Sequence, residues 1–290
     1  MEYYEDGGRV ILTKYNSFDI GHTLESGQCF RFSKRGEGAY SIVARGKVLY
    51  IEQGGGQICF YPCDLDEFMR VWFDYFDLGR DYEQIKVSLS ANDPIMAKAV
   101  TFAPGIRLMN QDVWECLVSF IISANNRIPM IQQVVRNISG RFGEAIGSER
   151  TFTTWAQMAE ATVEDFAACK AGFRAKYILD AVRKVHGGYI DLADFSDKST
   201  QDVKRELMTI SGVGSKVADC VLLMSCGRRE IFPIDVWIRR VVQELYFCGQ
   251  DISLANLQDF AKEKWGDNAG FANQFLFHYA RLHKIGGERK

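Results

Sequence analysis

The sequence LMTISGVGSKVADC, residues 207–220, decides the fold, because it places two glycines between two helical patterns. Ser199 supplies an N-terminal cap for a first helix, which is expected to run through Ile210. Gly212 and Gly214 allow the chain to reverse, and Ser215 is expected to cap the second helix. The sequence therefore predicts a helix-hairpin-helix at about residues 200–226.

Lys216 lies in the first turn of that second helix. A helix N-terminus carries partial positive charge and free N–H groups, so it binds phosphate and disfavours the ammonium form of a lysine placed there. A lysine with a destabilised ammonium is a candidate amine nucleophile. Lys216 is therefore the best catalytic candidate in the chain.

The hairpin itself is a candidate phosphate-binding element. Its small residues, Gly212, Val213 and Gly214, let backbone N–H groups approach a phosphate closely. The carbonyls of Met208, Ile210 and Val213 could hold a monovalent or calcium ion. A plain helix–turn–helix whose glycines serve only the reversal explains the same pattern. A P-loop is excluded, because the two glycines lack its Gly-x4-Gly-Lys-Ser/Thr spacing.

Asp235 follows a proline-containing loop and precedes an apolar helical run. Such an aspartate is usually an N-cap. It also follows Lys216 by one helix and a return loop, so amine and carboxylate can face one cleft. There the carboxylate could stabilise an oxocarbenium-like charge while the amine attacks.

Two further segments suggest contact with DNA. Asn125 and Asn126 end an apolar helical run, where they either cap the helix or read a base edge. Phe173 and Arg174 follow Gly172, and together they offer a wedge and a guanidinium donor for an opened duplex.

Composition and charge narrow the class of protein. The chain has 290 residues, 47% hydrophobic content and a net charge of −2, which argues against indiscriminate nucleic-acid binding. No apolar run approaches the roughly 20 residues of a membrane helix, and the acidic start is unlike a signal peptide. The eight cysteines form no Cys-x-x-Cys pair, so they are expected to be reduced thiols.

The pattern changes along the chain. Four short strands, separated by glycine-rich turns, are predicted in the first sixty residues at 10–12, 40–44, 48–52 and 57–60. Beyond Asp64 the apolar period becomes helical. The sequence therefore predicts an α+β protein, with an N-terminal antiparallel domain at residues 1–100 and a helical domain at residues 101–290.

Several separate motifs resemble those of the helix-hairpin-helix DNA glycosylases, and most closely the 8-oxoguanine DNA glycosylase family. They are the run at 207–220, Pro-Ile-Asp-Val at 233–236, Ser-Gly-Gln-Cys-Phe-Arg at 26–31, Arg-Leu-x-x-Gln-Asp at 107–112, Ser-x-Asn-Asn at 123–126, Gly-Phe-Arg-Ala at 172–175 and Ala-Gly-Phe-Ala at 269–272. These motifs follow one another in the same order as in that family, which makes chance similarity improbable.

The resemblance implies a role for each matching position. Lys216 would attack C1′ of the damaged nucleoside and form a Schiff base, with assistance from Asp235. The Gly27 carbonyl would accept the N7 hydrogen that only 8-oxoguanine carries. Cys220 and Phe277 would sandwich the extruded base. The contacts to the orphaned cytosine would come from Asn125 and Arg174, and the intercalating residue would be Phe173.

Four positions depart from the family pattern. Met130 replaces an arginine that reads the opposite cytosine, so opposite-base selectivity is expected to be relaxed by about 1–3 kcal/mol. Trp237 replaces a histidine that contacts phosphate, and Ser211 replaces the hairpin proline. Asn273 replaces a glutamine that reads the damaged base, and Gln274 lies next to it.

The sequence thus predicts a bifunctional 8-oxoguanine DNA glycosylase and AP lyase that acts as a monomer on double-stranded DNA, without a membrane. No cofactor is expected beyond the hairpin ion, and the location is expected to be the nucleoid-containing cytoplasm of a prokaryote. A monofunctional glycosylase for alkylated bases would need neither Lys216 nor the element at 26–28. A non-catalytic DNA-binding module, the second alternative, would need only the hairpin.

Overall fold

The computed structural model describes residues 1–287 and begins with a six-stranded antiparallel sheet. The strands lie in the order β1-β2-β6-β5-β4-β3. Their bounds are β1 Glu2–Asp6, β2 Arg9–Thr13, β3 Phe32–Gly36, β4 Ala39–Ala44, β5 Lys47–Gly54 and β6 Gln57–Tyr61. The antiparallel sheet predicted for this part of the chain is confirmed.

The four predicted strands are the four central ones. The two strands that were not predicted, β1 and β3, are the edges of the sheet. All of their residues are exposed or half-buried, so they lack the apolar alternation by which a strand is recognised. Polar, charged edge strands also protect a sheet from pairing with another chain.

Helices make up most of the remaining chain. The helices are α1 Ile20–Leu24, α2 Leu65–Glu67, α3 Phe73–Tyr75, α4 Tyr82–Ser90, α5 Pro94–Phe102, α6 Val113–Ser123, α7 Ile128–Phe142, α8 Val163–Ala168, α9 Ala175–His186, α10 Thr200–Leu207, α11 Ser215–Ser225, α12 Val236–Tyr246, α13 Leu254–Trp265 and α14 Ala269–His283. A π-helical turn, Phe68–Trp72, joins α2 to α3, and a small hairpin is formed by β7 Ala145–Ile146 and β8 Glu149–Arg150. None of the helices in residues 1–287 combines the length and apolar character that crossing a bilayer requires.

The buried apolar side chains form two separate hydrophobic cores. The first lies between the sheet and the helical segment at 65–78, with Trp72 and Phe76 fully buried in it. The second is formed by the helices and includes residues of α4 and α5, among them Tyr82 and Met96. The residues predicted as one domain, 1–100, are therefore shared between the two cores.

Buried polar side chains connect the two cores. Gln28 is fully buried, and its amide nitrogen donates to the carbonyls of Thr23 and Arg107 at 3.0 and 2.7 Å. The guanidinium of Arg107 is 2% exposed and donates to the carbonyls of Ser17 and Asp77. Because a buried donor without a partner costs about 1–3 kcal/mol, these bonds fix the loop at 26–28 against the helical domain.

Candidate active site and DNA-binding face

A cavity of about 130 Å³ lies between the end of α1 and the helical domain. The predicted residues Lys216, Asp235, Gly27, Cys220, Phe277 and Asn273 all line it, although they come from four separate parts of the chain. Its other lining residues are Ser26, Phe30, Phe120, Ser123, Asn126, Ile128, Ile131, Met224, Pro233, Ile238 and Gln274.

Lys216 is half-buried in this cavity beside residues of α6. Its Nζ donates to Ser123 Oγ at 3.5 Å and lies 5.1 Å from the centre of the Phe120 ring. Cys220 lies one turn further along α11, so both side chains face the same space. Within residues 1–287 no ion pair joins Lys216 to Asp235, and the two groups face the cavity from separate helices.

Ser215 was predicted to cap α11, and this prediction is wrong. The N-cap is Gly214, whose extended backbone leaves Ser215 inside the first turn. The Ser215 hydroxyl instead lies 3.3 Å from Asp219 Oδ2. No side chain among residues 1–287 caps α11, so its first N–H groups stay open, as a phosphate-binding helix terminus requires.

Asp235 is both an N-cap and a cavity residue. Its Oδ1 accepts a hydrogen bond from the backbone N–H of Ile238 at 2.7 Å, which satisfies the start of α12. The same carboxylate lines the cavity. The two interpretations of this residue from sequence are therefore compatible.

Gly27 lies directly against Phe277. Its φ is +82°, and a Cβ added there would be 2.9 Å from Phe277 Cε1. Both the backbone conformation and the close contact require glycine. The Gly27 carbonyl accepts no hydrogen bond from any residue in the described part of the chain, so it is available to a ligand.

Two neighbouring amides on α14 hold the loops that border the cavity. Asn273 Nδ2 donates to the Pro233 carbonyl at 2.8 Å, and Gln274 Nε2 donates to the Ser26 carbonyl at 2.9 Å. Both side chains are about 95% buried or more. The nitrogen of Asn273 is thus committed to the loop before Asp235, and its oxygen is left for a substrate.

Burial dominates the electrostatics of the cavity wall. It raises the pKa of the Cys220 thiol to about 11, although the nearby ammonium of Lys216 acts in the opposite direction. The thiol is therefore neutral at physiological pH and offers a soft, polarisable surface to a planar ring.

The helix before the hairpin is shorter than predicted. α10 is capped by Ser199, as expected, but it ends at Leu207 rather than Ile210. The Thr209 hydroxyl donates to the Glu206 carbonyl at 2.7 Å, which satisfies the helix end early. The hairpin therefore comprises residues 208–214.

Phe173, the residue predicted to be the wedge, lies at the surface beside the loop of Asn125. Phe173 is 53% exposed, and the guanidinium carbon of Arg174 lies 4.3 Å from the centre of its ring. Arg174 is only 8% exposed and donates to the carbonyls of Ala124 and Asn125. Its guanidinium therefore holds the loop in place, and few of its donors remain for DNA.

Met130 and Asn125 are the other two residues that the sequence relates to the opposite base. Met130 is 44% exposed in the first turn of α7. Asn125 has a φ of +50°, the left-handed conformation that commonly follows a helix end. Asn126 Nδ2 donates to the Ile122 carbonyl at 3.2 Å, so the second asparagine is the one whose side chain caps α6.

Sequence reasoning missed several members of the cavity. Phe120 and Ser123 lie on α6, a helix whose residues are nearly all buried, so no amphipathic face marked them. Their spacing of three residues places them on one side of the helix, and Ser123 also begins the Ser-x-Asn-Asn motif, but neither feature points to Phe120 by itself.

A second cavity, of about 260 Å³, lies between β3, β4 and α7. It is larger than the cavity of Lys216, and Phe30 lines both. It contains arginine and serine side chains but none of the predicted catalytic residues. The chemistry is therefore assigned to the smaller cavity.

Two family models together cover most of the chain. The model described as 8-oxoguanine DNA glycosylase, N-terminal domain, matches residues 10–117. The model described as HhH-GPD superfamily base excision DNA repair protein matches residues 118–266.

Solved structures and a curated relative agree with these matches. The structure of MBOgg1 in complex with a low-affinity DNA ligand is 45% identical, covers 98% of this chain and 100% of its own, and has a TM-score of 0.94. The 8-oxoguanine glycosylase/lyase of Clostridium acetobutylicum, in complex with double-stranded DNA containing cytosine opposite 8-oxoguanine, is 39% identical over 98% of this chain and 99% of its own, with a TM-score of 0.94. The probable N-glycosylase/DNA lyase of Methanothermobacter thermautotrophicus is 29% identical over 71% of this chain and 72% of its own.

Proposed function

The chain belongs to the 8-oxoguanine DNA glycosylase family within the HhH-GPD superfamily of base excision DNA repair proteins, and from this membership we propose that Lys216 is its nucleophile and Asp235 the supporting carboxylate. It is a bifunctional N-glycosylase and DNA lyase that acts on 8-oxoguanine in double-stranded DNA. One observation supports the residue assignment above all others: Lys216, Asp235 and Gly27 line a single cavity.

The proposed reaction has two bond-breaking stages. The amine of Lys216 forms a bond to C1′ while the bond from C1′ to the base breaks, and the proton that the attacking nitrogen loses passes to the departing base. The C1′–O4′ bond then breaks, which opens the sugar ring to a Schiff base. Loss of a proton from C2′ expels the 3′ phosphate by β-elimination, and hydrolysis of the Schiff base frees Lys216. The carboxylate of Asp235 stabilises the positive charge that develops at C1′ in the first stage.

Recognition of the damaged base is assigned to the loop at 26–28. The free carbonyl of Gly27 would accept the N7 hydrogen of 8-oxoguanine. Normal guanine presents a lone pair at N7. The Gly27 carbonyl would then lack a hydrogen-bond donor, at a cost of about 1–3 kcal/mol. Cys220 and Phe277 would hold the two faces of the extruded ring, and the Asn273 oxygen would accept from its pairing edge.

The hairpin is assigned to the DNA backbone. The N–H groups of Gly212, Gly214 and the first turn of α11 would bind a phosphate. The carbonyls of Met208 and Val213 accept no backbone hydrogen bond in the described residues, while the Ile210 carbonyl accepts one from Val213. This set of hard oxygen donors fits a monovalent or calcium ion, and the chemistry of the cavity needs no cofactor.

Relaxed selectivity for the opposite base is part of the proposal. Met130 offers no hydrogen-bond donor, and most of the Arg174 guanidinium is committed to carbonyls of the protein. Reading of the opposite cytosine would therefore depend largely on Asn125. Action as a monomer in a prokaryotic cytoplasm stays a prediction.

Borohydride trapping tests the nucleophile. The wild-type protein should form a covalent adduct with a duplex that contains 8-oxoguanine, and Lys216→Gln should abolish both the adduct and strand cleavage. Lys98→Gln, which removes an exposed lysine on α5, is the matched control and should retain both activities.

The alternatives give different outcomes in the same assay. Base release without an adduct would indicate a monofunctional glycosylase, and no base release would indicate a DNA-binding module. An adduct that persists in Lys216→Gln would move the nucleophile to another amine.

A further inference from the structure

One side of α9 connects the wedge to the hairpin. Phe173 lies just before this helix, and Tyr177, Asp180 and Lys184 follow at intervals of four, three and four residues. This spacing places them along a single side of a helix. All three of the helical residues contact the hairpin at 208–214.

Tyr177 packs against the turn of the hairpin. A Cβ added to Gly212 would clash with Cγ and Cδ2 of the Tyr177 ring, and the φ of Gly212 is +78°. The Tyr177 ring also meets the Phe173 ring edge-on, with centres 6.1 Å apart. A single tyrosine therefore touches both the turn of the hairpin and the wedge.

Asp180 and Lys184 hold the polar groups of the hairpin. Asp180 Oδ2 accepts from the backbone N–H of Ser211 at 2.7 Å and from Lys184 Nζ at 3.0 Å. Lys184 Nζ also donates to the Thr209 carbonyl. Burial raises the pKa of Asp180, but the hydrogen bonds from Ser211 and Lys184 outweigh it and leave the pKa below its ordinary value.

The pairing of these charges is suited to a phosphate-binding element. A lone carboxylate under the hairpin would repel a DNA phosphate. The ammonium of Lys184 compensates that charge and at the same time binds a hairpin carbonyl. Asp180 can thus fix the Ser211 N–H without weakening the attraction of the remaining N–H groups for DNA.

We propose that Tyr177, Asp180 and Lys184 are positioning residues that set the distance between the phosphate-binding hairpin and the Phe173 wedge. The proposal rests on the proposed function and deepens it. When the hairpin is anchored on a phosphate, α9 carries the wedge to a fixed depth in the duplex. The extrusion of the base therefore depends on these contacts, while the chemistry at Lys216 does not.

Single-turnover excision at saturating DNA tests this coupling. Asp180→Ala is expected to lower the excision rate roughly tenfold, as for the loss of one hydrogen bond to a charged group. It should also reduce the fluorescence of a 2-aminopurine placed next to the lesion, which reports unstacking. Asp180→Asn keeps an acceptor for the Ser211 N–H and should restore most of both signals.

The controls separate positioning from charge and from stability. Asp194→Ala removes an exposed carboxylate from the same domain and should leave rate and fluorescence unchanged. Asp180→Ala should bind an undamaged duplex at least as tightly as the wild type, because it removes negative charge. A lesion placed opposite an abasic site has no base pair to break and should be excised by Asp180→Ala at nearly the wild-type rate.

Two results would overturn the proposal. One is a 2-aminopurine signal and excision rate that are unchanged in Asp180→Ala. The other is an equal loss against the lesion opposite an abasic site, which would indicate general damage to the fold. If instead the wild-type protein forms no borohydride adduct, the proposed function is wrong. That result is separate from the two above, because the wild type retains all three positioning residues.

Discussion

The base cavity and the hairpin are built in opposite ways. The cavity combines side chains from both halves of the chain, and the bond from Gln274 to Ser26 spans 248 residues. The hairpin at 208–214 presents mainly backbone groups, and its anchor on Asp180 is 31 residues away from Ser211. Catalysis thus depends on how the two cores are joined, whereas the grip on DNA depends on one local unit.

This difference implies that the two functions can be damaged separately. A change in the cavity should reduce excision and leave the affinity for undamaged DNA intact. A change that removes a phosphate contact from the hairpin should weaken binding to any duplex and flatten its salt dependence, because fewer counterions are released. The following predictions test that separation, beginning with the largest effect.

Replacing Asp235 by asparagine should lower excision by roughly 100-fold to 1000-fold, because the charge that stabilises the transition state is lost. The variant should unfold at the wild-type temperature, since asparagine caps a helix as well as aspartate does. Asp235→Ala should lose both the activity and about 1 kcal/mol of stability. Wild-type turnover in Asp235→Asn would leave this residue with the capping role alone.

Acid should destabilise the folded protein through His278, which follows the cavity residue Phe277 on α14. Burial first, and then the positive charges of Arg281 and His22, lower its pKa to about 4, while Glu25 and Asp19 act in the opposite direction. The unfolded chain therefore binds a proton below pH 6.5 that the folded chain excludes, and stability falls as the pH drops from 6.5 towards 4. Between pH 7 and pH 5 the loss should be about 2 kcal/mol.

Urea unfolding at the two pH values measures this loss. His278→Leu, which cannot titrate, should remove it, whereas His186→Gln, at an exposed position, should not. The same pH dependence in the leucine variant would assign the acid sensitivity to other groups. The run at 207–220 contains no histidine, so DNA binding by the hairpin should be less sensitive to acid.

Gly27→Ala should reduce excision of 8-oxoguanine by about tenfold, because a left-handed alanine costs about 1–2 kcal/mol and its Cβ would press on Phe277. Affinity for an undamaged duplex, measured by fluorescence anisotropy, should not change. Gly140→Ala, at a site with free space and an ordinary backbone, is the matched control. A weakened affinity for the undamaged duplex would contradict the separation of the two regions.

The smallest effect is expected from Met130→Arg. A guanidinium at position 130 should favour cytosine over adenine opposite the lesion by about 1 kcal/mol, or roughly fivefold. The ratio of excision rates for the two duplexes measures it. Met69→Arg adds the same charge at an exposed position of the sheet domain and should leave the ratio unchanged. An unchanged ratio in Met130→Arg would show that this position does not face the opposite base.

The sequence predicted those strands and helices in which burial produces a regular spacing of apolar residues. The central strands and the helix-hairpin-helix were recognisable, but β1 and β3 were not, because an edge strand alternates little in polarity. The period of α4 and α5 showed that they are helices but not which core they join. Residues such as Tyr82 and Met96 pack in the second core, and this packing depends on tertiary contacts that the sequence spacing does not reveal.

The candidate site was predictable from its motifs rather than from periodicity. Lys216 and Asp235 stood out because helix ends have recognisable sequences. Phe120 and Ser123 did not, since a helix buried on all sides has no polar face for comparison. The use of Arg174 to hold the Asn125 loop could not be foreseen either, because it depends on the end of a distant helix.

The double use of Asp235 has an evolutionary consequence. One carboxylate both starts α12 and lines the cavity, so most replacements at this position would be selected against twice, once through folding and once through repair. Asparagine is the main escape, because it retains the cap. A lineage that drifted to asparagine here would keep a folded protein that still binds DNA but no longer excises the base.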